Sequence, residues 1–390
     1  MKTAPLRWDI FCRIVDNFGD IGVCWRLARQ LVNEHGQDVQ LWVDDLSVMA
    51  ALVPELSEEK SLQCIDGVTV RRWPEHWRDQ PVTDVVIEAF ACALPAAYLS
   101  ALADSARPTL WLNLEYLSAE AWVEDCHGLP SPVAQSIGNL KKYFFFPGFT
   151  EKTGGLSREQ NLLSSRDQFR KNAGNTRFLK SLGANPETGD LTLSLFSYEN
   201  PHIGSWLSAL SQQSHPVHLF VPEGRVQGDI ADWLGLARLV AGQQFHRGQL
   251  HLYILPFTTP DEYDHLLWSC DFNIVRGEDS FVRAQWAAAP MLWHIYPQDD
   301  EAHRVKLEAF LRLYNQSFSE SAANAVRAFW QDWNHGTNPT RSWQQMLADW
   351  PAIQAGARRW CEHLAAQKNI SQQLVTFAEK QLLFAPRNLS

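Results

Sequence analysis

Short apolar runs punctuate the first half of the chain at Asp9–Val15, Val39–Val43, Val68–Trp73, Asp84–Ala89, Thr109–Asn113 and Tyr143–Pro147. Helical spacing fills several of the gaps, for example Ile21–Asn33 and Leu94–Ala103. Short apolar strands alternating with helices predict βαβ units around a parallel sheet. The pattern lapses from Gly148 to about Asp190, where Gly154-Gly155, Ser164-Ser165 and Gly174-Asn175 break up a polar, charged stretch. One short helix is expected there, with Ser157 and Gln160 spaced as a capping box. Alternation then resumes. Leu191–Phe196, Pro216–Val221, Leu250–Leu255, Phe272–Val275 and Met291–His294 read as strands, and Glu301–Leu313, Ser319–Trp330 and the long stretch Ala352–Leu383 as helices.

The predicted architecture is therefore α/β in two halves: a first domain over 1–153, a mobile loop and linker over 154–185, and a second domain over 186–364. The last helix, about 365–390, is expected to cross back and complete the first half. A length of 390 residues agrees, being long for a single core.

Polar residues crowd the ends of two of these strands. Asp16-Asn17-Phe18-Gly19-Asp20-Ile21-Gly22 lies between the first apolar run and the first helix. Open α/β sheets bind ligands at this edge, and the glycines let the backbone turn tightly beside a ligand. Two carboxylates would repel a phosphate, and suit holding a cation or removing a proton. On spacing alone, an Asn/Asp-Gly turn with Asp20 as a helix cap fits equally well. In the second half Arg276-Gly277-Glu278-Asp279-Ser280 joins the strand Phe272–Val275 to a helix expected over Phe281–Ala289 and closed by Pro290. Free N–H groups at a helix start, the Ser280 hydroxyl and the Arg276 fork would make a diphosphate seat that needs no metal. The bland alternative is a helix capped by Asp279 or Ser280, with Arg276 paired to a nearby carboxylate. Leu195–Asn200 and Leu255–Pro260 end at the same predicted edge. Phe257 there is placed to stack on a nucleobase, worth about 1–3 kcal/mol.

Composition narrows the classes. A net charge of −10 argues against a general nucleic-acid binder and is compatible with a basic protein partner. Seven widely spread cysteines include no CxxC pair, which predicts buried free thiols in a reducing cytoplasm. The N-terminus lacks the apolar core of a signal peptide. No apolar run approaches the roughly 18–20 residues that span a bilayer. The seventeen tryptophans are scattered, so they are expected to serve packing rather than a binding stripe. No HExxH, Walker loop, GxSxG elbow or GxGxxG occurs in a suitable context, and no metal ligands are expected.

The segments Asp9–Gly22 and Arg276–Phe281, with Leu195–Asn200 and the Pro256-Phe257 turn, closely resemble the protein-arginine rhamnosyltransferases that modify elongation factor P, the EarP family. That resemblance, which runs over nearly the whole chain, implies a GT-B glycosyltransferase architecture, two Rossmann-like domains facing across a cleft with the donor held mainly by the second. It implies dTDP-β-L-rhamnose as donor, no metal cofactor, and as acceptor one arginine in the N-terminal domain of elongation factor P. The product would be an α-rhamnosyl arginine formed with inversion, activating the factor for polyproline translation. Carried over by position, Asp20 is the general base and Asp16 holds the acceptor guanidinium. Arg276 binds the diphosphate and Phe257 stacks on thymine. Glu278, Asp279 and Ser280 finish the donor pocket, Phe196 and Tyr198 line it, and Asn17, Phe18, Gly19 and Gly277 complete it. Glu278 either holds donor hydroxyls or supports catalysis. The competing expectations are another GT-B nucleotide-sugar enzyme, with a different sugar or an epimerase activity, and a non-catalytic protein that binds a basic partner in an acidic cleft.

Overall fold

A computed structural model describes the chain outside residues 1–3, 16–17, 75, 78–82, 106–107, 133–139, 299–300 and 384–390. Two compact units form, Met1–Gln160 with Gln367–Ser390, and Asn161–Ala366.

The first unit runs β1 (Arg7–Cys12), α1 (Phe18–His35), β2 (Asp38–Val43), α2 (Leu46–Leu52), β3 (Leu62–Ile65), β4 (Val68–Arg72), β5 (Val85–Ala89), α3 (Ala96–Ala103), β6 (Leu110–Leu114), α4 (Trp122–Cys126), β7 (Pro130–Ser131) and β8 (Lys141–Phe145). Its sheet has the order β3-β4-β2-β1-β5-β6-β8-β7. The inner strands pair in parallel, while β3 and β7 pair antiparallel at the two edges. Both faces of this sheet are covered, which is why its strands are apolar almost throughout. Trp8, Ile10 and Cys12 of β1 join one core with Val39, Leu41, Val85, Ile87 and Leu112. Phe11 points to the other face, into a second core with Trp42, Val86, Tyr98 and Trp111. Helix α1 lays Ile21, Cys24, Trp25, Ala28 and Leu31 on the first core, a helical stripe. Asp9 interrupts the apolar run of β1. It is 3% exposed and accepts a 2.6 Å hydrogen bond from the Tyr98 hydroxyl. Burial outweighs that bond and pushes its carboxyl up to about 6.

The second unit runs α5 (Leu162–Lys171), α6 (Gly174–Ser181), β9 (Leu191–Leu195), α7 (Ile203–Ser211), β10 (Val217–Val221), α8 (Gln227–Leu234), β11 (Gln244–Arg247), β12 (Leu250–Ile254), α9 (Pro260–Ser269), β13 (Phe272–Arg276), α10 (Asp279–Trp286), β14 (Met291–His294), α11 (Ala302–Asn315), α12 (Glu320–Asn334), α13 (Thr340–Ala348) and α14 (Trp350–Ala365). Its sheet has the order β11-β12-β10-β9-β13-β14, parallel except for the β11–β12 edge. Tryptophans build this core, as their scatter suggested. Trp206, Trp333 and Trp343 meet edge to face at 5.2 and 5.7 Å, and Phe310 stacks on Trp330 at 5.6 Å. Among the described residues no helix is long and apolar enough to cross a membrane.

Helix α15 (Ile370–Leu383) then rejoins the first unit and inserts Ile370, Leu374 and Ala378 into its first core. The helical stretch Ala352–Leu383 divides here into α14 and α15, the latter being the last helix expected to complete the first half. Asn369 stops the run. Its side chain accepts from the Gln372 N–H at 2.9 Å, and its own N–H donates to the Gln372 side chain at 3.2 Å. That reciprocal pair is a capping box.

The 154–185 segment divides between the two units rather than standing apart from both. Residues up to Gln160 pack with the first unit, and α5 and α6 belong to the second. Gly154 is glycine for lack of room, since a Cβ there would run into the Phe145 ring; Gly155 has both reasons, a left-handed φ of +73° and a Cβ position against the Lys368 carbonyl. Nor do Ser157 and Gln160 cap a helix. Ser157 meets the Gln30 side chain at 3.3 Å and the Gln160 N–H donates to Glu34 at 2.8 Å, before α5 begins. Two arginines anchor α5 instead. Arg166 donates to the Trp286 carbonyl at 2.7 Å, and Arg170 to the carbonyls of Trp268 and Ala287 at 3.0 and 2.7 Å.

Candidate active site

In the first unit the chain leaves β1 toward β2 on one side, and later places β5 on the other. The crevice of such a sheet lies outside the carboxyl ends of the two strands flanking that reversal. The acidic turn after β1 opens there. Asp16 and Asn17 lie outside the described residues, while Phe18 and Gly19 start α1. Asp20 sits in the first turn of the helix, where a carboxylate complements the positive end of the dipole. It does not begin the helix, so the simple cap reading does not hold. Asp20 is 2% exposed. Its Oδ2 accepts from the Val15 N–H at 2.9 Å, and Tyr116, two residues past β6, brings its hydroxyl to 3.4 Å from Oδ1.

The loop after β5 forms another wall of this crevice. Phe90, Ala91 and Ala93 have φ of +55°, +52° and +56°. Non-glycine residues in that region cost on the order of 1–3 kcal/mol each, and persist only when over-determined by their surroundings. Glu88 supplies much of the restraint. It is 5% exposed; Oε1 accepts from the Ala93 N–H at 3.2 Å, and Oε2 from the Trp111 indole at 3.1 Å and Lys142 at 2.8 Å.

The second unit repeats the logic. Its reversal lies between β9 and β13, and the two motifs singled out in that half leave those strands. The Arg276 guanidinium lies over the Phe196 ring at 4.5 Å and over Tyr198 at 4.9 Å, a cation–π arrangement that fixes its plane. Gly277 takes φ +65° and its carbonyl accepts from the Trp293 indole at 2.9 Å. The helix starts two residues earlier than expected, at Asp279, with Glu278 as its N-cap and no side-chain capping bond. Neither Asp279 nor Ser280 is the cap. Beneath Arg276, His294 bonds Ser197 at 2.7 Å; burial, and then the nearby Arg276 charge, push its imidazole down to about 4. It is neutral at physiological pH. Phe257 is half-buried in the β12–α9 turn, and Thr259 with Glu262 closes that turn in a capping box. The buried pair Arg283–Asp264, at 2.8 Å, ties α10 to α9 behind the pocket.

The family model for the elongation-factor P (EF-P) rhamnosyltransferase EarP matches residues 8–379. The chain belongs to this family. It is 52% identical over 376 residues to a protein-arginine rhamnosyltransferase of Pseudomonas putida, covering 96% of this chain and 99% of that one. A solved structure that gives the structural basis for EarP-mediated arginine glycosylation of translation elongation factor EF-P is 39% identical, with a TM-score of 0.67 over 96% of this chain and 99% of that one. A solved structure of MurG from Acinetobacter baumannii shares 12% identity at a TM-score of 0.51, covering 97% of this chain and 100% of that one. The fold is GT-B, and this family member is a glycosyltransferase.

Within each unit the structure gathers residues that the sequence had set apart. Phe196, Tyr198, Arg276, Gly277 and the start of α10 share one sheet edge in the second unit. Tyr116, Phe90 and Glu88 were missed. Phe90 follows β5 directly and Tyr116 lies two residues past β6, but they carry no charge or glycine to draw the eye. Among the described residues no group of three or more His, Cys, Asp or Glu is placed to hold a metal ion.

Proposed function

We propose that the chain moves L-rhamnose from dTDP-β-L-rhamnose to one arginine in the N-terminal domain of elongation factor P, with inversion and without a metal. The observation that carries this reading is a whole-chain match to the family together with a buried carboxylate and a stacked arginine, each at the reversal point of its own sheet.

The chemistry asks for both. Guanidinium is a poor nucleophile, because its lone pairs are delocalised and it holds its proton to a pKa above about 12. A carboxylate, ordinarily near pKa 4, cannot take that proton in water. It takes it as the new C–N bond draws electrons from the nitrogen. In the proposed step the guanidinium nitrogen attacks the anomeric carbon, the bond to the dTDP oxygen breaks with its electron pair, and the nitrogen's proton passes to Asp20. Asp16 orients the cation. Arg276 and the N–H groups at the start of α10 stabilise the departing diphosphate, with Gly277 giving the backbone close approach. Phe257 stacks on thymine, Phe196 and Tyr198 line the pocket through Arg276, and Glu278, Asp279 and Ser280 face the sugar and phosphates. Phe18 and Gly19, with Asn17, complete the donor contacts. All seven cysteines are free, which supports a reducing cytoplasm as the place of action.

The test mixes the chain with elongation factor P and dTDP-β-L-rhamnose and weighs the factor by intact-mass spectrometry. The expected result is one added deoxyhexose, mapped by fragmentation to an arginine. No mass gain, or a gain only with a UDP- or GDP-sugar, overturns the reading.

A further inference from the structure

Tyr116 is an aromatic side chain kept 40% exposed beside a buried carboxylate. Phe90 stacks on it, with ring centroids 4.5 Å apart and planes 18° from parallel. Phe90 can hardly move. Its N–H donates to the Leu114 carbonyl at 2.7 Å, and its left-handed loop is pinned through Ala93 to Glu88 and through the Cys92 thiol to the Phe11 carbonyl at 3.4 Å. The strained loop after β5 thus holds one ring against another whose hydroxyl sits 3.4 Å from Asp20.

We propose that the Tyr116 ring, backed by Phe90, is the platform on which the acceptor guanidinium lies while it faces Asp20; this rests on the arginine acceptor proposed above. The face of a tyrosine ring is electron-rich and attracts a cation within about 6 Å of its centroid. A planar guanidinium stacks on such a face and still presents its edge nitrogens to a carboxylate, whereas a lysine ammonium is a point charge without that plane. The molecule already uses this geometry in its other unit, where Arg276 lies over Phe196 and Tyr198. Stacking also directs the nitrogen. A guanidinium flat on Tyr116 has its edge toward the side where the tyrosine hydroxyl meets Asp20, so the leaving proton and the base are brought together. Tyr116 is in this view a substrate-binding residue and a determinant of arginine over lysine. Phe90 and Glu88 are positioning residues that act through it.

The experiment varies elongation factor P at saturating dTDP-β-L-rhamnose with the wild-type chain, Y116F and Y116L, and measures dTDP affinity by calorimetry in each. It also compares binding of the native factor with one carrying lysine at the acceptor arginine. Y116F keeps the ring and should leave the acceptor KM unchanged. Y116L should raise it about 3- to 30-fold, the span of a single cation–π contact, with dTDP affinity as in wild type. The preference for arginine over lysine should shrink in Y116L and persist in Y116F. An unchanged acceptor KM in Y116L overturns the platform, as does an equal rise in Y116F and Y116L, which would assign the effect to the hydroxyl. A thermal-unfolding midpoint and circular-dichroism spectrum as in wild type show that the variants are folded. Absence of transfer by the wild-type chain would instead remove the acceptor assignment itself.

Discussion

Arg276→Ala tests the donor pocket at the side chain on which most of it converges. The guanidinium is held over two rings, 4.5 Å from Phe196 and 4.9 Å from Tyr198, so little of its freedom is left to lose when a diphosphate arrives. A charge-assisted hydrogen bond contributes about 1.5–3 kcal/mol. Its removal should therefore weaken dTDP binding about 10- to 150-fold, since each 1.4 kcal/mol is a factor of ten. Arg276→Lys keeps the charge but not the plane, and should fall between wild type and alanine. His294 reports independently on whether the cation has gone. Burial and the Arg276 charge together hold its imidazole at about 4. Losing the charge while keeping the burial should move it up, though short of the ordinary 6.5. Calorimetry with dTDP reads the first effect and an NMR titration of the His294 ring reads the second. If His294 moves up and dTDP affinity stays put, the arginine was removed cleanly and the diphosphate role is refuted.

Asp20→Asn should abolish transfer while leaving dTDP affinity intact, and near-normal turnover in that variant would remove Asp20 as the base. Transfer should persist in excess EDTA, because Arg276 and helix amides supply the charge compensation; loss of activity that added Mg²⁺ restores would show that a metal takes part. Asp9→Asn should stabilise the first unit at neutral pH. The Asp9 carboxyl holds its proton to about 6 in the folded chain against 3.8 ordinarily, so the native state binds more protons between those values and stability falls as pH rises through them. The gain from Asn should approach about 3 kcal/mol above pH 6 and vanish near pH 4. Denaturant midpoints that differ equally at pH 4 and pH 8 would contradict this.

What could be read from sequence was whatever depends on one strand and the residue after it. The inner parallel strands were visible because burial on both faces leaves few polar positions to interrupt an apolar run, Asp9 and Glu88 being exceptions, and Asp20 and Arg276 stood out because charge at the end of such a run is unusual. The antiparallel edge strands were not. Leu62–Ile65 and Gln244–Arg247 pair on one side only and carry polar residues that dissolve the pattern. The Gly154-Gly155 step was ambiguous in sequence because glycine is chosen both for freedom and for lack of space, and only the Phe145 ring and the Lys368 carbonyl reveal the second. The Asn369–Gln372 capping box was written in the chain and went unread inside a helical stretch. Tyr116 lies near a strand end but was passed over, since its meaning comes from Asp20, distant in sequence, and from a left-handed loop that no local pattern announces.

Helix α15 makes the first unit discontinuous in the chain. Ile370, Leu374 and Ala378, which pack against its sheet, lie beyond the whole of the second unit. The intervening segment, Asn161–Ala366, is contiguous. A chain that ends before Ile370 lacks three of the side chains that bury this core, and so leaves apolar surface bare. Truncation just before Ile370 would open the core of the lobe that carries Asp20, some 350 positions upstream of the lesion.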